Sequence, residues 1–320
     1  MDIAALAEGV RQHNPRLLGR AISMVEDGGE RLPELMQAVA PHAGHAHVVG
    51  LTGAPGVGKS TTTSALITHY RGQGLKVAVL ACDPTSPFSG GAILGDRVRM
   101  QEHFLDTGVY IRSMASRGHL GGLSATTPQA ARLLDAAGFD VILIETVGVG
   151  QSEVEVAASA DTTVVLLAPG MGDGIQAFKA GILEVGDVFV VNKADRDGAH
   201  DTVRELRHAL SLAADVRSRP AEPDEWTPPI LLTVAATGQG VPELAETLAT
   251  HRTWLTGTEP GRARAGARAA AELEAVVLAT LRQRAHALRT DPRFAALAAE
   301  VAAGSRDAYT AAEVLLSERD

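Results

Sequence analysis

Gly53-Ala54-Pro55-Gly56-Val57-Gly58-Lys59-Ser60 spells a full G-x-x-x-x-G-K-[ST] phosphate loop, and its flanks decide how it is read. His47-Val48-Val49-Gly50-Leu51-Thr52 before it is a short apolar run, the pattern of a buried strand, and Thr61 to Tyr70 after it reads as a helix. In that setting the glycines let successive backbone N–H groups turn inward toward a phosphate. Lys59 reaches the β- and γ-phosphates, Ser60 offers its hydroxyl to Mg²⁺, and the start of the helix adds the positive end of its dipole. The eight loop residues and Thr61 are the expected contacts to a nucleoside triphosphate.

Working outward, strand-like and helix-like segments alternate. Apolar strands are expected at Lys76–Cys82, Val109–Met114, Asp140–Ile144, Asp161–Ala168, Asp187–Val191 and Pro229–Val234. Candidate helices lie at Thr127–Ala137, Gln151–Ser159, Ile175–Glu184, Asp201–Ala214 and Val241–Trp254. Continuous apolar strands between amphipathic helices predict a doubly wound, mostly parallel α/β sheet of about seven strands, with ligands at the carboxyl ends of the strands. Residues 1–44 read as two or three helices broken at Asn14-Pro15 and Gly28-Gly29. Residues 261–320 carry no strand signal. Arg262–Thr290 reads as one long helix, a second follows Asp291-Pro292, where Asp caps and Pro fits the first turn, and a third covers roughly Thr310–Glu318.

Composition narrows the class. The 320 residues are 45% hydrophobic but only 3% aromatic, so the core must be aliphatic. A net charge of −9 disfavours nucleic acid as a partner. Cys82 is the sole cysteine, which excludes an intrachain disulfide and a cysteine-rich metal site within one chain. The apolar runs, such as Val164–Ala168, are too short to span a bilayer, and no leader-like start is present, so a soluble cytoplasmic protein without membrane contact is expected. Only four lysines occur, Lys59, Lys76, Lys179 and Lys193, and two of them lie in nucleotide motifs.

Asn192-Lys193-Ala194-Asp195 follows the strand ending at Val191 and matches the N-K-x-D pattern of guanine-binding proteins. The Asp195 carboxylate accepts from guanine N1–H and the exocyclic amine, a donor pair adenine lacks. The Lys193 stem packs on the base, and Asn192 ties this loop to the phosphate loop. Ala235-Ala236-Thr237 after the next strand sits where a backbone segment contacts the base, although an ordinary strand-to-helix turn reads almost as well there. GTP and GDP are therefore the expected ligands, with Mg²⁺. The strand Val141–Ile144 ends in Glu145-Thr146-Val147-Gly148, where such proteins usually carry D-x-x-G. Glu145 replaces the Asp, which suggests a metal contact through water or a supporting role, and Gly148 is placed to sense the γ-phosphate. Gln151 stands at a different offset from the usual water-orienting glutamine. Asp83, at a strand's carboxyl end, and Asp96, in the Gly/Pro-rich stretch after it, are candidates for Mg²⁺ or water contacts; Asp96 reads equally as the cap of a helix starting at Arg97. The expected catalytic group is thus Lys59, Asp83, Asp96 and Glu145. The chain divides into a helical extension (1–44), a P-loop GTPase domain (45–256) and a C-terminal helical arm (257–320).

The segments Asp83–Met100 (DPTSPFSGGAILGDRVRM), Ser113–Ser124 (SMASRGHLGGLS), Glu145–Glu153 (ETVGVGQSE) and Asn192–Asp195 resemble the accessory GTPases of adenosylcobalamin-dependent acyl-CoA mutases, the MeaB/MMAA group, also known as ArgK-type transport-system kinases. The resemblance runs over roughly the whole chain. It implies a GTPase that binds methylmalonyl-CoA mutase or a close relative, couples the nucleotide cycle to cofactor loading and protects the mutase from inactivation. It also implies a homodimer built partly by the C-terminal arm, a cobalamin adenosyltransferase as a further partner, and a nucleotide-responsive switch after Ala168 that includes Asp173, Gln176 and Lys179. No arginine finger is evident, so slow intrinsic hydrolysis stimulated by a partner is expected.

Rival readings remain at this level. A nickel-type metal-insertion GTPase would use His42, His45 and His47, without a cysteine to join them. A P-loop kinase would need an acceptor pocket and a base such as Asp83 or Asp96. A nucleotide-gated scaffold would need only different affinities for two states.

Overall fold

A computed structural model describes residues 2–83, 101–103, 105–115, 122–146, 159–170, 180–216 and 224–317. Seven strands, β1 (His47–Thr52), β2 (Val77–Asp83), β3 (Val109–Ala115), β4 (Val141–Thr146), β5 (Thr162–Leu167), β6 (Val188–Asn192) and β7 (Ile230–Thr233), form one sheet in the order β3-β2-β4-β1-β5-β6-β7. Every pairing between these strands is parallel. β1 lies between β4 and β5, with Leu51 opposite both Glu145 and Val164. The strand order reverses beside β1, the place where an open parallel sheet leaves a crevice at its carboxyl edge.

Alternation along the strands sorts the core onto two faces. Val77, Val79, Val49, Leu51, Val141 and Leu143 pack with α4 (Lys59–Gly72) and with the helix Val241–Gly257 through residues such as Leu66 and Leu244. Ala78, Leu80, Ile142 and Ile144 face the other way, against the N-terminal helices α1 (Ile3–Arg11), α2 (Pro15–Asp27) and α3 (Leu32–Val39) and against α5 (Gly122–Ala136). A smaller cluster, including Phe189, Val191 and Leu206, seats α7 (Ala199–Val216) beyond the short α6 (Ala180–Val185). The breaks read at Asn14-Pro15 and Gly28 are present. Asn14 caps α2 by accepting from the N–H groups of Arg16 and Leu17, and Gly28 closes it in the left-handed region at φ 64°.

The helix Val241–Gly257 is α8 and leads into the 30-residue α9 (Glu259–Leu288). Residues 1–272 form one compact unit and residues 273–320 a second. In the first, the beginning of α9 is fastened to the amino edge of the sheet. The Arg264 guanidinium stands 2.5 Å from Asp187 Oδ1 without hydrogen-bond alignment, Arg268 pairs with Asp161, and Arg132 donates to Glu272 at 2.8 Å. Beneath them runs a buried chain. The Thr162 hydroxyl bridges His47 Nε2 (2.8 Å) and His251 Nδ1 (2.7 Å), and Trp226 and Trp254 enclose the His251 ring. Burial pushes His47 and His251 down to about 3, with nearby arginines acting the same way. It pushes Asp187 up to about 6 against the pull of Arg264.

In the second unit, α10 (Pro292–Ala302) and α11 (Ala308–Leu316) share a small core of Leu297, Ala311 and Leu315. Asp291 and Asp307 cap them, Asp291 by accepting from the Arg293 N–H ahead of Pro292. Among the described residues no helix is long and apolar enough to cross a membrane.

Candidate nucleotide site

The phosphate loop joins β1 to α4 at the carboxyl edge. Two of its glycines are enforced by close approach. Gly53 (φ 141°) would place a Cβ 2.3 Å from the Leu166 carbonyl oxygen of β5, and Gly58 (φ 101°) would place one 2.3 Å from Asn192 Nδ2. The loop thus hugs β5 on one side and the β6 loop on the other. The Lys59 ammonium donates to the carbonyls of Gly53 (2.6 Å) and Ala54 (3.1 Å) and lies under the arch of the loop.

Glu145, 4% exposed on β4, reaches the first turn of α4. It accepts from Ser60 Oγ at 2.5 Å and from Thr63 Oγ1 at 3.0 Å. Ser60 and Thr63 are three residues apart on one helix face, which is why one carboxylate holds both. Thr63 was not singled out in the sequence, yet its spacing from Ser60 was the available signal. The paired oxygens of Ser60 and Glu145 are the hard-donor chemistry that suits Mg²⁺.

Asn192, 2% exposed at the end of β6, is the knot of the site. Its Nδ2 donates to the Val57 carbonyl in the phosphate loop at 2.9 Å. Its Oδ1 accepts from the Ala235 N–H at 3.0 Å and the Thr233 hydroxyl at 3.1 Å. One amide therefore locks three loops together. Lys193, in the left-handed region at φ 58°, donates to the Gly56 carbonyl at 2.6 Å, so it too spans to the phosphate loop. Asp195 is exposed beyond them. Ala235 is buried, and Ala236 and Thr237 line a cavity of about 550 Å³ that runs to Ser60 and Thr61.

The backbone of Asp83 ends β2 at the same edge. Asp96, Gly148, Gln151, Asp173, Gln176 and Lys179 lie outside the described residues. Of the histidines weighed as nickel ligands, His42 and His45 are exposed, whereas the ring of His47 is buried and engaged by Thr162 at the opposite edge of the sheet. Among the described residues no group of three or more His, Cys, Asp or Glu is arranged to hold a metal ion. Cys82 is a buried strand residue.

Comparisons with known proteins bear on the family and the fold. The family described as "Methylmalonyl Co-A mutase-associated GTPase MeaB" matches residues 18–290. A Pyrococcus horikoshii protein named as a GTPase is 43% identical over 99% of this chain and 98% of its own. GTPase ArgK of Escherichia coli is 40% identical over 79% of this chain and 78% of its own, and the mouse methylmalonic aciduria type A homolog is 42% identical over 62% of this chain and 48% of its own. The crystal structure of a LAO/AO transport system kinase superposes with a TM-score of 0.67 at 28% identity, covering 98% of this chain and 96% of that one.

Proposed function

The chain belongs to the MeaB family of methylmalonyl-CoA mutase-associated GTPases, and from that premise we propose that it couples GTP binding and hydrolysis to cofactor loading and protection of an adenosylcobalamin-dependent acyl-CoA mutase. The observation that carries this reading is the Asn192 knot, which joins the phosphate loop to the N-K-x-D and Ala235–Thr237 loops in one site. Residues 53–61 cradle the phosphates. Lys59 exchanges its loop carbonyls for the β- and γ-phosphate oxygens, where its ammonium offsets their charge. Asp195 accepts from the guanine N1–H and amine, Lys193 covers the base, and the Ala235–Thr237 backbone closes its edge.

Mg²⁺ fits the Ser60–Glu145 oxygen pair and, when bound, neutralises phosphate charge. Glu145 presents Ser60 toward the phosphates, with Thr63 as its second anchor. Asp83 and Asp96 complete the acidic group, and Gly148 senses the γ-phosphate. The switch of Asp173, Gln176 and Lys179 transmits the nucleotide state to the mutase, with a cobalamin adenosyltransferase as a further partner. The protein acts as a homodimer. Leu273, Val276, Val277 and Leu281 form an exposed apolar stripe at helical spacing on α9, and a second copy is the occupant that its length and regularity suit.

The test is GTP turnover by the purified protein, alone and with the cobalamin-dependent mutase of the same organism. A several-fold stimulation, lost in Lys179→Ala, is expected. Tight GTP binding with no stimulation by any such mutase would remove the mutase from the proposal.

A further inference from the structure

A nucleotide held in this site must place its sugar between the two ends already described. Phosphates at Ser60 and a base at Asp195 and Ala235–Thr237 leave the ribose covalently confined to the space between them. The cavity of about 550 Å³ meets both ends, with Ser60 and Thr61 in its wall at one and Ala235, Ala236 and Thr237 at the other, and Ser64 of α4 lines it as well. Among the described residues lining it, Glu102 is the one that brings a charged side chain to its wall.

Glu102 is not a loosely solvated surface group. Although 68% of its side chain is exposed, its Oε1 accepts from Ser64 Oγ at 2.5 Å, and Ser64 Oγ lies 3.0 Å from Nε2 of His103, which is 9% exposed. The serine proton points to the carboxylate, so the hydroxyl oxygen is left to accept from the imidazole Nε2–H. The relay holds Glu102 against α4 through Oε1, at the wall of the cavity. A carboxylate is an acceptor-only group when ionised, and a vicinal diol offers two O–H donors, so the two are matched.

We propose that Glu102, positioned by Ser64 and His103, is the ribose-recognition residue of the nucleotide site and makes the protein select ribonucleotides over deoxyribonucleotides. The inference rests on the guanine-nucleotide reading above and adds the sugar to it. None of the three residues belongs to the phosphate loop or to the N-K-x-D motif. A charge-assisted hydrogen bond from a diol to a carboxylate discriminates by roughly tenfold.

The experiment is calorimetric titration of the full chain with GDP, 2′-deoxy-GDP and 3′-deoxy-GDP, with circular dichroism to show that each variant is folded. The parent is expected to bind at least one deoxy analogue about tenfold more weakly than GDP. Glu102→Ala is expected to bind GDP as weakly as that analogue, while its affinity for the analogue itself stays at the parent level. Glu102→Gln, which keeps an acceptor oxygen, retains part of the preference. Equal binding of all three ligands by the parent, or full discrimination in Glu102→Ala, overturns the assignment. Failure of the parent to bind GDP at all would instead overturn the guanine-nucleotide reading beneath it.

Discussion

Replacing Asn192 by alanine should separate the base-binding loops from the phosphate loop. The side chain is 2% exposed and makes three hydrogen bonds, to Val57, Ala235 and Thr233. Alanine leaves the Val57 carbonyl and the Ala235 N–H without their partner in a buried setting, at about 1–3 kcal/mol each. The expected loss is therefore about 2–6 kcal/mol, a large part of an ordinary domain's stability. The same groups shape the nucleotide pocket, so GDP affinity should fall at least tenfold. Asn192→Asp provides the internal control. It keeps the acceptor for Ala235 and Thr233 but turns a carboxylate oxygen toward the Val57 carbonyl, so it should lose nucleotide affinity while retaining the β7 side of the knot. Urea unfolding followed by circular dichroism, paired with titration of a fluorescent GDP analogue, measures both effects. An alanine variant with stability within about 0.5 kcal/mol of the parent and unchanged affinity would refute the knot, since buried amides that matter cannot be removed at that cost.

Two further outcomes are expected. Asp195→Asn replaces an acceptor-only group by an amide, so guanine binding should drop by at least tenfold while xanthine, which carries an oxygen at the amine position, gains; competition between GDP and XDP against the labelled analogue reads this, and an unaltered preference for guanine would count against Asp195 as the base contact. Stability should also fall on mild acidification. His47 and His251 are depressed to about 3 from 6.5, so the stability they carry is present above about pH 6.5 and is lost as pH falls toward 3. Asp187 is raised to about 6, so its contribution is present below about 3.8 and lost as pH rises through 6, and acidification returns part of it. Between pH 7.5 and 5 each histidine loses about 2 kcal/mol and Asp187 returns about 1, for a net loss of a few kcal/mol. Urea midpoints at the two pH values, and a flatter profile in His251→Gln, check the sign; a midpoint that rises at pH 5 would contradict it.

The sheet was legible because its strands are continuous Val/Ile/Leu runs that only a sheet buried on both faces accommodates. The phosphate loop and Asn192 were legible because sequence-local motifs carry their own geometry. The relation of Glu145 to Ser60 was half visible. Its place after β4 could be read, but not that it would hold Ser60 and Thr63 together, which depends on β4 lying next to β1. His47 illustrates the opposite case. Its spacing from His42 and His45 suggested ligation, whereas its partners, Thr162 and through it His251, lie 115 and more residues away and leave no local trace. Glu102 and His103 leave no local trace either, since nothing in the sequence brings them to Ser64.

The amino-edge cluster has a practical consequence. The chain has two tryptophans, Trp226 and Trp254, and both sit against His251 there, with their indole N–H groups donating to the carbonyls of Asp187 and Asp224. The nucleotide knot lies at the other end of β6, about 16 Å along a five-residue strand. Intrinsic emission excited at the indole band is therefore blind to direct quenching by a bound guanine and reads the anchorage of α9 instead. A spectral shift on adding GTP would be a signal carried along the sheet, obtainable without any label.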